Sequence, residues 1–192
     1  MTRQNKRSGI SATELMAELQ GDPEHQRMVQ AAEAERLERE RQVDEAERPI
    51  AADLRAVGVE VNSVWDLVNT SEPYPAALPV LMEHLERGGY PEVVMEGLGR
   101  ALAVKPSVAF WDRLKGRWLN PRDAGEEDGA AVALAACATK RQLDDLIAFL
   151  SAEDRGESRL FFVRSIVRVG GDRGYEVLES LRTILVAVNA GV

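Results

Sequence analysis

From residue 49 onward the apolar side chains recur at i, i+3, i+4 and i+7, and no stretch alternates with period two. That spacing puts them on one face of a helix and predicts an all-α domain. Helices are expected from Pro75 (YPAALPVLMEHLERGG), from Pro91 (YPEVVMEGLGRALAV), from Pro106 (PSVAFWDRLKGRWL) and near Glu126 (EEDGAAVALAACAT). Three more are expected over 140–150 (KRQLDDLIAFL), 157–169 (ESRLFFVRSIVRV) and 172–188 (DRGYEVLESLRTILVAV). Proline in a first turn and glycine just past a last turn match the asymmetry of helix ends. A weaker pair, 49–59 and 61–70, precedes them.

Taken alternately, these helices start at 75, 106, 140 and 172, a spacing of 31–34 residues, and the intervening ones start at 91, 126 and 157. Two interleaved series sharing one period indicate a repeated helix hairpin. No single hairpin can bury its own apolar face, so neighbours must stack.

The best-formed hairpin, SRLFFVRSIVRVGGDRGYEVLESL (158–181), is similar to a HEAT repeat of the bacterial, phycobilisome-lyase-like type. It has an apolar helix carrying arginine, a short Gly-Gly-Asp-Arg turn, and a second helix with leucines three or four apart. Residues 90–118 and 129–150 match more loosely, and the resemblance covers about 49–185. It implies a HEAT-like, armadillo-like α-solenoid of about three and a half hairpins, of bacterial or phage origin. Such arrays serve many roles. The expected one is a non-catalytic protein-interaction scaffold that binds a partner on its concave face. An immunity or inhibitor protein acting on a basic target is one concrete form. The alternative implied by the resemblance is a HEAT-type lyase or DNA-glycosylase-like protein that binds a chromophore or nucleic acid.

Residues 1–48 differ from the remainder and form an expected N-terminal arm ahead of a domain over 49–192. They hold 8 Lys/Arg and 11 Asp/Glu, against 16 and 21 in the longer remainder. SATELMAELQG (11–21) predicts a short capped helix, and residues 23–49 a second, strongly charged one. In the latter only Met28, Val29, Leu37 and Val43 are free to pack, without a continuous seam. A solvated helix laced by i,i+4 ion pairs is expected, ending at Pro49.

Composition narrows the chemistry. The net charge is −8, so the chain's own field opposes non-specific nucleic-acid binding. A single cysteine, Cys137, precludes an internal disulfide and predicts a small buried thiol in an Ala-rich helix. No run approaches the roughly 20 apolar residues that span a bilayer, and the basic N-terminus lacks a signal peptide's apolar core. A cytoplasmic setting is therefore expected. His25 and His84 stand in charged surroundings without neighbouring His or Cys, so no metal, cofactor or catalytic set is expected.

The octapeptide VRVGGDRG (167–174) resembles a phosphate loop in its glycines alone. A helix precedes it and no Lys-Ser/Thr follows, so it reads as a corner between helices, with Asp172 as an N-cap. In the helix before it, Leu160, Phe162, Val163, Ile166 and Val167 form the expected buried stripe. Arg164 and Arg168 lie opposite, with Phe161 between them. Either they meet a neighbouring element, or they bind a partner, since arginine and aromatic residues anchor interfaces. Glu92, Glu96 and Arg100 share a face of the helix starting near Pro91, in the same series. If the array curves, Arg100, Phe161, Arg164 and Arg168 line one groove. The apolar stretch 183–192 either caps the stack or binds a partner, and Trp111, Leu114 and Trp118 are expected in the core.

Overall fold

A computed structural model describes residues 22–152 and 155–189, with side chains as far as Arg182. Among these residues there are nine α-helices and no strand. They are α1 (Pro23–Ala56), α2 (Val64–Val68), α3 (Ala77–Arg87), α4 (Glu92–Ala101), α5 (Trp111–Leu119), α6 (Ala124–Cys137), α7 (Leu143–Leu150), α8 (Phe162–Gly170) and α9 (Asp172–Asn189). The chain enters α5, α7 and α8 through 3-10 turns at Lys105–Phe110, Lys140–Gln142 and Ser158–Phe161. The short helix expected over 11–21, and the side chains of 183–192, lie outside the described residues.

Packing divides the chain into residues 1–42 and residues 43–192. In the first unit, residues 23–42 are helical and almost wholly exposed. Met28, Val29 and Leu37 face solvent. Arg36 pairs with Glu33 and Glu40, and Arg41 with Glu38, one helical turn apart. Such exposed pairs contribute little each, but they satisfy the charges of a helix that has no apolar face to bury.

Pro49 does not end α1, contrary to the expectation from sequence. The helix runs through it to Ala56, with Pro49 exposed. An interior proline loses one backbone hydrogen bond and costs about 3 kcal/mol. Ile50, Ala51 and Leu54 beyond it are buried. Burying each large aliphatic side chain contributes roughly 1.5–3 kcal/mol, which offsets the break. Glu47, one turn earlier, is buried too, and its carboxylate accepts from Ser63 Oγ at 2.9 Å and the Val64 amide at 3.1 Å. It thereby holds the start of α2.

Within residues 43–192, α4 packs on α6 and α6 on α8, while α3, α5 and α7 pack on α4, α6 and α8 respectively. The α4–α6 contact is close enough to exclude side chains. A methyl group at Gly99 would strike the backbone of Gly129, 2.6 Å from its carbonyl oxygen. One at Gly129 would lie 3.0 Å from the Glu96 carbonyl oxygen. On the other side of α6 the core is aromatic: Trp118 lies 4.7 Å from Phe149 and 5.1 Å from Phe162 between ring centroids. Trp118 Nε1 donates to Ser158 Oγ, and Trp111 Nε1 to Asp145. Buried indoles need such partners. Trp111, Leu114 and Trp118 are core residues, as their spacing indicates.

The corner at VRVGGDRG is formed by Gly171, whose φ of +55° suits glycine and whose amide donates to Val167 O. Gly170 remains helical and Asp172 is already the first residue of α9. The buried stripe of α8 differs from expectation: Phe162, Ser165, Ile166 and Val169 are inside and Leu160 is 57% exposed. The 3-10 turn before α8 has three residues per turn, not 3.6, which carries Leu160 outward.

His84, read as a residue of a charged surface, is buried. Its Nε2 lies 2.9 Å from Asp53 Oδ2 and its Nδ1 2.6 Å from the Tyr90 hydroxyl. A neutral ring fits both, with Nε2–H donating to the carboxylate and the phenol donating to Nδ1. Burial lowers its pKa, against the opposite pull of Asp53. The unfolded chain therefore takes up this proton near pH 6.5 and the folded chain only lower. We expect the thermal midpoint to fall as pH drops below about 6.5, and His84→Gln to flatten that slope. Melting curves from pH 7.5 to pH 5 with both proteins check this.

Candidate functional site

One stripe of α6 carries Asp128, Val132, Ala135 and Ala136, spaced i, i+4, i+7 and i+8, so they face the same way. The N-terminal end of this stripe is acidic. Burial raises the Asp128 pKa, and Glu96, Glu127 and Glu92 add to the rise while Arg100 opposes it. The C-terminal end is basic. Arg168 donates to the carbonyls of Ala135 (2.7 Å), Ala136 (3.3 Å) and Ala138 (3.3 Å), and Lys105 Nζ to Ala136 O at 3.0 Å. These carbonyls belong to the last turn of α6 and the residue after it, where the carbonyls of an α-helix lack N–H donors of their own and its dipole is negative.

Between α6 and α8 runs a groove of about 250 Å³, lined by Val132, Ala135, Ala136, Phe161, Arg164, Ser165 and Arg168. Phe161 is 38% exposed at its edge. Three of the four residues singled out from sequence thus meet there. They do so because Phe161 ends the 3-10 turn before α8, and Arg164 and Arg168 follow at i+3 and i+7. Arg100 does not line the groove. It is paired with Glu96 at 2.6 Å on α4. Arg168 is held by backbone carbonyls, so its first role is to cap α6. Arg164 is exposed and has no hydrogen bond or ion pair among the described residues.

Two features were not read from the sequence. One is Arg122, whose guanidinium donates to the carbonyls of Leu85, Glu86 and Arg87 at the end of α3, at 2.5–2.9 Å. It also meets the fully buried Glu126 carboxylate at 2.6 and 3.0 Å. Glu126 additionally accepts from the Arg122 amide and lies 3.4 Å from Arg117. The other is the glycine contact of α4 with α6, whose only trace in the sequence is Gly99 on α4 and the pair Gly125 and Gly129 on α6.

Cys137, the last residue of α6, is buried, and burial pushes its thiol up to about 11, which disfavours the thiolate near neutral pH. Among the described residues no group of three or more His, Cys, Asp or Glu is placed to hold a metal, and no helix is long and apolar enough to cross a membrane. A second hollow, of about 310 Å³, lies between the loop Thr70–Pro75, Leu78, Val104 and Pro106 and is almost wholly apolar.

Compared with protein-family models, with curated proteins and with solved structures, the chain gives no match in any of the three.

Proposed function

We propose that this chain is a non-catalytic protein-interaction module, built as a HEAT-like stack of helix hairpins, that binds a partner protein through the face carried by α4, α6 and α8. The observation that carries the binding reading is Phe161: an exposed aromatic beside Arg164, which has no ion pair among the described residues, over the floor of Val132 and Ala135. Aromatic and arginine side chains supply most of the anchoring energy of protein interfaces. The HEAT-like reading draws support from the side-chain links between hairpins. Trp111 to Asp145, Lys115 to Asp145, and Arg168 to Ala135 each join residues 30–34 apart, about the repeat length. An immunity or inhibitor role is one form this module takes, with the arm as a second contact.

The test is affinity capture with the intact chain from its source cell. The double change Phe161→Ala, Arg164→Ala spares the Arg168 cap. It is expected to remove a specific partner while circular dichroism and the thermal midpoint stay within a few degrees of the parent. If every partner survives the double change, the chain does not bind through this face.

A further inference from the structure

We propose that the groove between α6 and α8 takes a short acidic segment of the partner protein, with a carboxylate on Arg164 and an apolar side chain against Phe161, Val132 and Ala135. This deepens the interaction reading above and rests on it.

The argument is one of local charge. The chain as a whole is strongly acidic, at −8. By that measure its target is basic. The groove has the opposite sign. Lys105, Arg164 and Arg168 stand around the C-terminal end of α6, and the bonds of Lys105 and Arg168 go to backbone carbonyls. Carbonyl dipoles orient a guanidinium without cancelling its charge. Arg164 has no carboxylate partner among the described residues, unlike Arg36, Arg100, Arg113, Arg122 and Arg173. Burial and the neighbouring Arg168 charge both lower the Lys105 pKa, as expected where positive charges crowd without a counter-ion. An incoming carboxylate relieves that crowding and gains a charge-assisted bond to a planar guanidinium, on which two oxygens can be held.

The same face limits the size of the anion. Asp128, Glu96, Glu92 and Glu127 stand toward the N-terminal end of the α6 stripe. A long polyanion lying along the stripe would leave the basic corner and meet these carboxylates. A nucleic acid also needs a continuous basic track to gain from counterion release. One acidic side chain beside one apolar side chain fits a groove of about 250 Å³. The same logic predicts that a basic residue of the segment, directed toward Asp128, strengthens binding.

The experiment is selection of random displayed peptides on the intact chain, followed by anisotropy of a labelled consensus peptide. We expect Asp or Glu next to Leu, Ile or Phe to be enriched, and affinity to fall as salt rises. Arg164→Glu is expected to weaken the peptide roughly tenfold or more, Phe161→Ala several-fold, and Arg164→Lys less than either. Both positions are exposed, so the melting curve should hardly move. Enriched peptides without acids, or acidic peptides indifferent to Arg164→Glu, overturn the proposal. Labelled oligothymidylate that binds tighter than the peptide and depends on Arg164 assigns the groove to nucleic acid and overturns it as well. The double change in the capture assay separates the two levels. A partner lost on Phe161→Ala, Arg164→Ala while selection yields no acidic peptide refutes the acidic segment alone. A partner retained refutes the face itself.

Discussion

Gly99→Ala is expected to lower the stability of the chain by about 2–3 kcal/mol, while Gly116→Ala raises it by about 0.5–1 kcal/mol. In an exposed helix both changes would stabilise, because alanine gives up less backbone entropy on folding. Gly116 in α5 has nothing within 4 Å of the new methyl group, so it keeps that gain. At Gly99 the methyl group meets the backbone of Gly129, and behind it the methyl at Gly129 would meet that of Glu96 and Gly99 in turn. Neither side can yield by turning a side chain. The helices must separate, and the buried Val94, Met95, Leu98, Ala130 and Leu134 lose contact with them. Gly99→Val should prevent folding at moderate temperature. Urea unfolding followed by circular dichroism gives the three midpoints. Equal shifts at Gly99 and Gly116 would mean that α4 and α6 do not approach this closely.

Arg122→Met is expected to cost about 3–5 kcal/mol, more than its partly exposed position suggests. Methionine keeps the length of the stem and removes the charge. The loss leaves the fully buried Glu126 carboxylate with the Arg122 amide and Arg117, at 3.4 Å, as its remaining donors among the described residues. It also strips three carbonyls at the end of α3 of their donor. Glu126→Gln is the milder companion, since the amide still accepts from Arg122. The sign of the pH effect follows from the carboxyl. Burial alone would raise its pKa, but the Arg122 side chain and amide, with Arg117, hold it below the usual range. That stabilisation is complete above the unfolded value near 4.5 and is lost as pH falls through the folded one. Arg122→Met no longer has it to lose. The gap between the two proteins should therefore narrow below about pH 5, in melting curves run from pH 7 to pH 3.5.

The fold class was readable because the 3.6-residue period is strong in α3, α4, α5, α7 and α8 and proline and glycine mark the turns, whereas α6 carries small, apolar residues on most sides. What sequence could not show is where tertiary burial overrides a local rule. Pro49 is a helix breaker by its own chemistry, yet Ile50 and Leu54 beyond it are core residues and carry α1 through. His84 has charged neighbours in sequence, yet in space its ring is buried, between the Asp53 carboxylate and the Tyr90 hydroxyl. Leu160 was placed inside by counting 100° per residue over a turn that is not α-helical. At the site, Phe161, Arg164 and Arg168 were legible as residues on the polar side of α8. Their different roles were not, since nothing local tells a free guanidinium from one spent on the carbonyls of a helix thirty residues earlier. Glu126 was legible as an acid in a first turn, where it suits the dipole. Its burial depends on Arg122 arriving from the preceding loop.

The cap formed by Arg168 also bears on rates. It ties α8 to the last turn of α6 through three bonds, and these two helices are the walls of the groove. The width of the opening is therefore set in the free protein, before anything enters it. A ligand there has little ordering left to impose on its host, so association should be limited by encounter and helped by the basic corner. Differences between good and poor ligands should then appear in how long each stays.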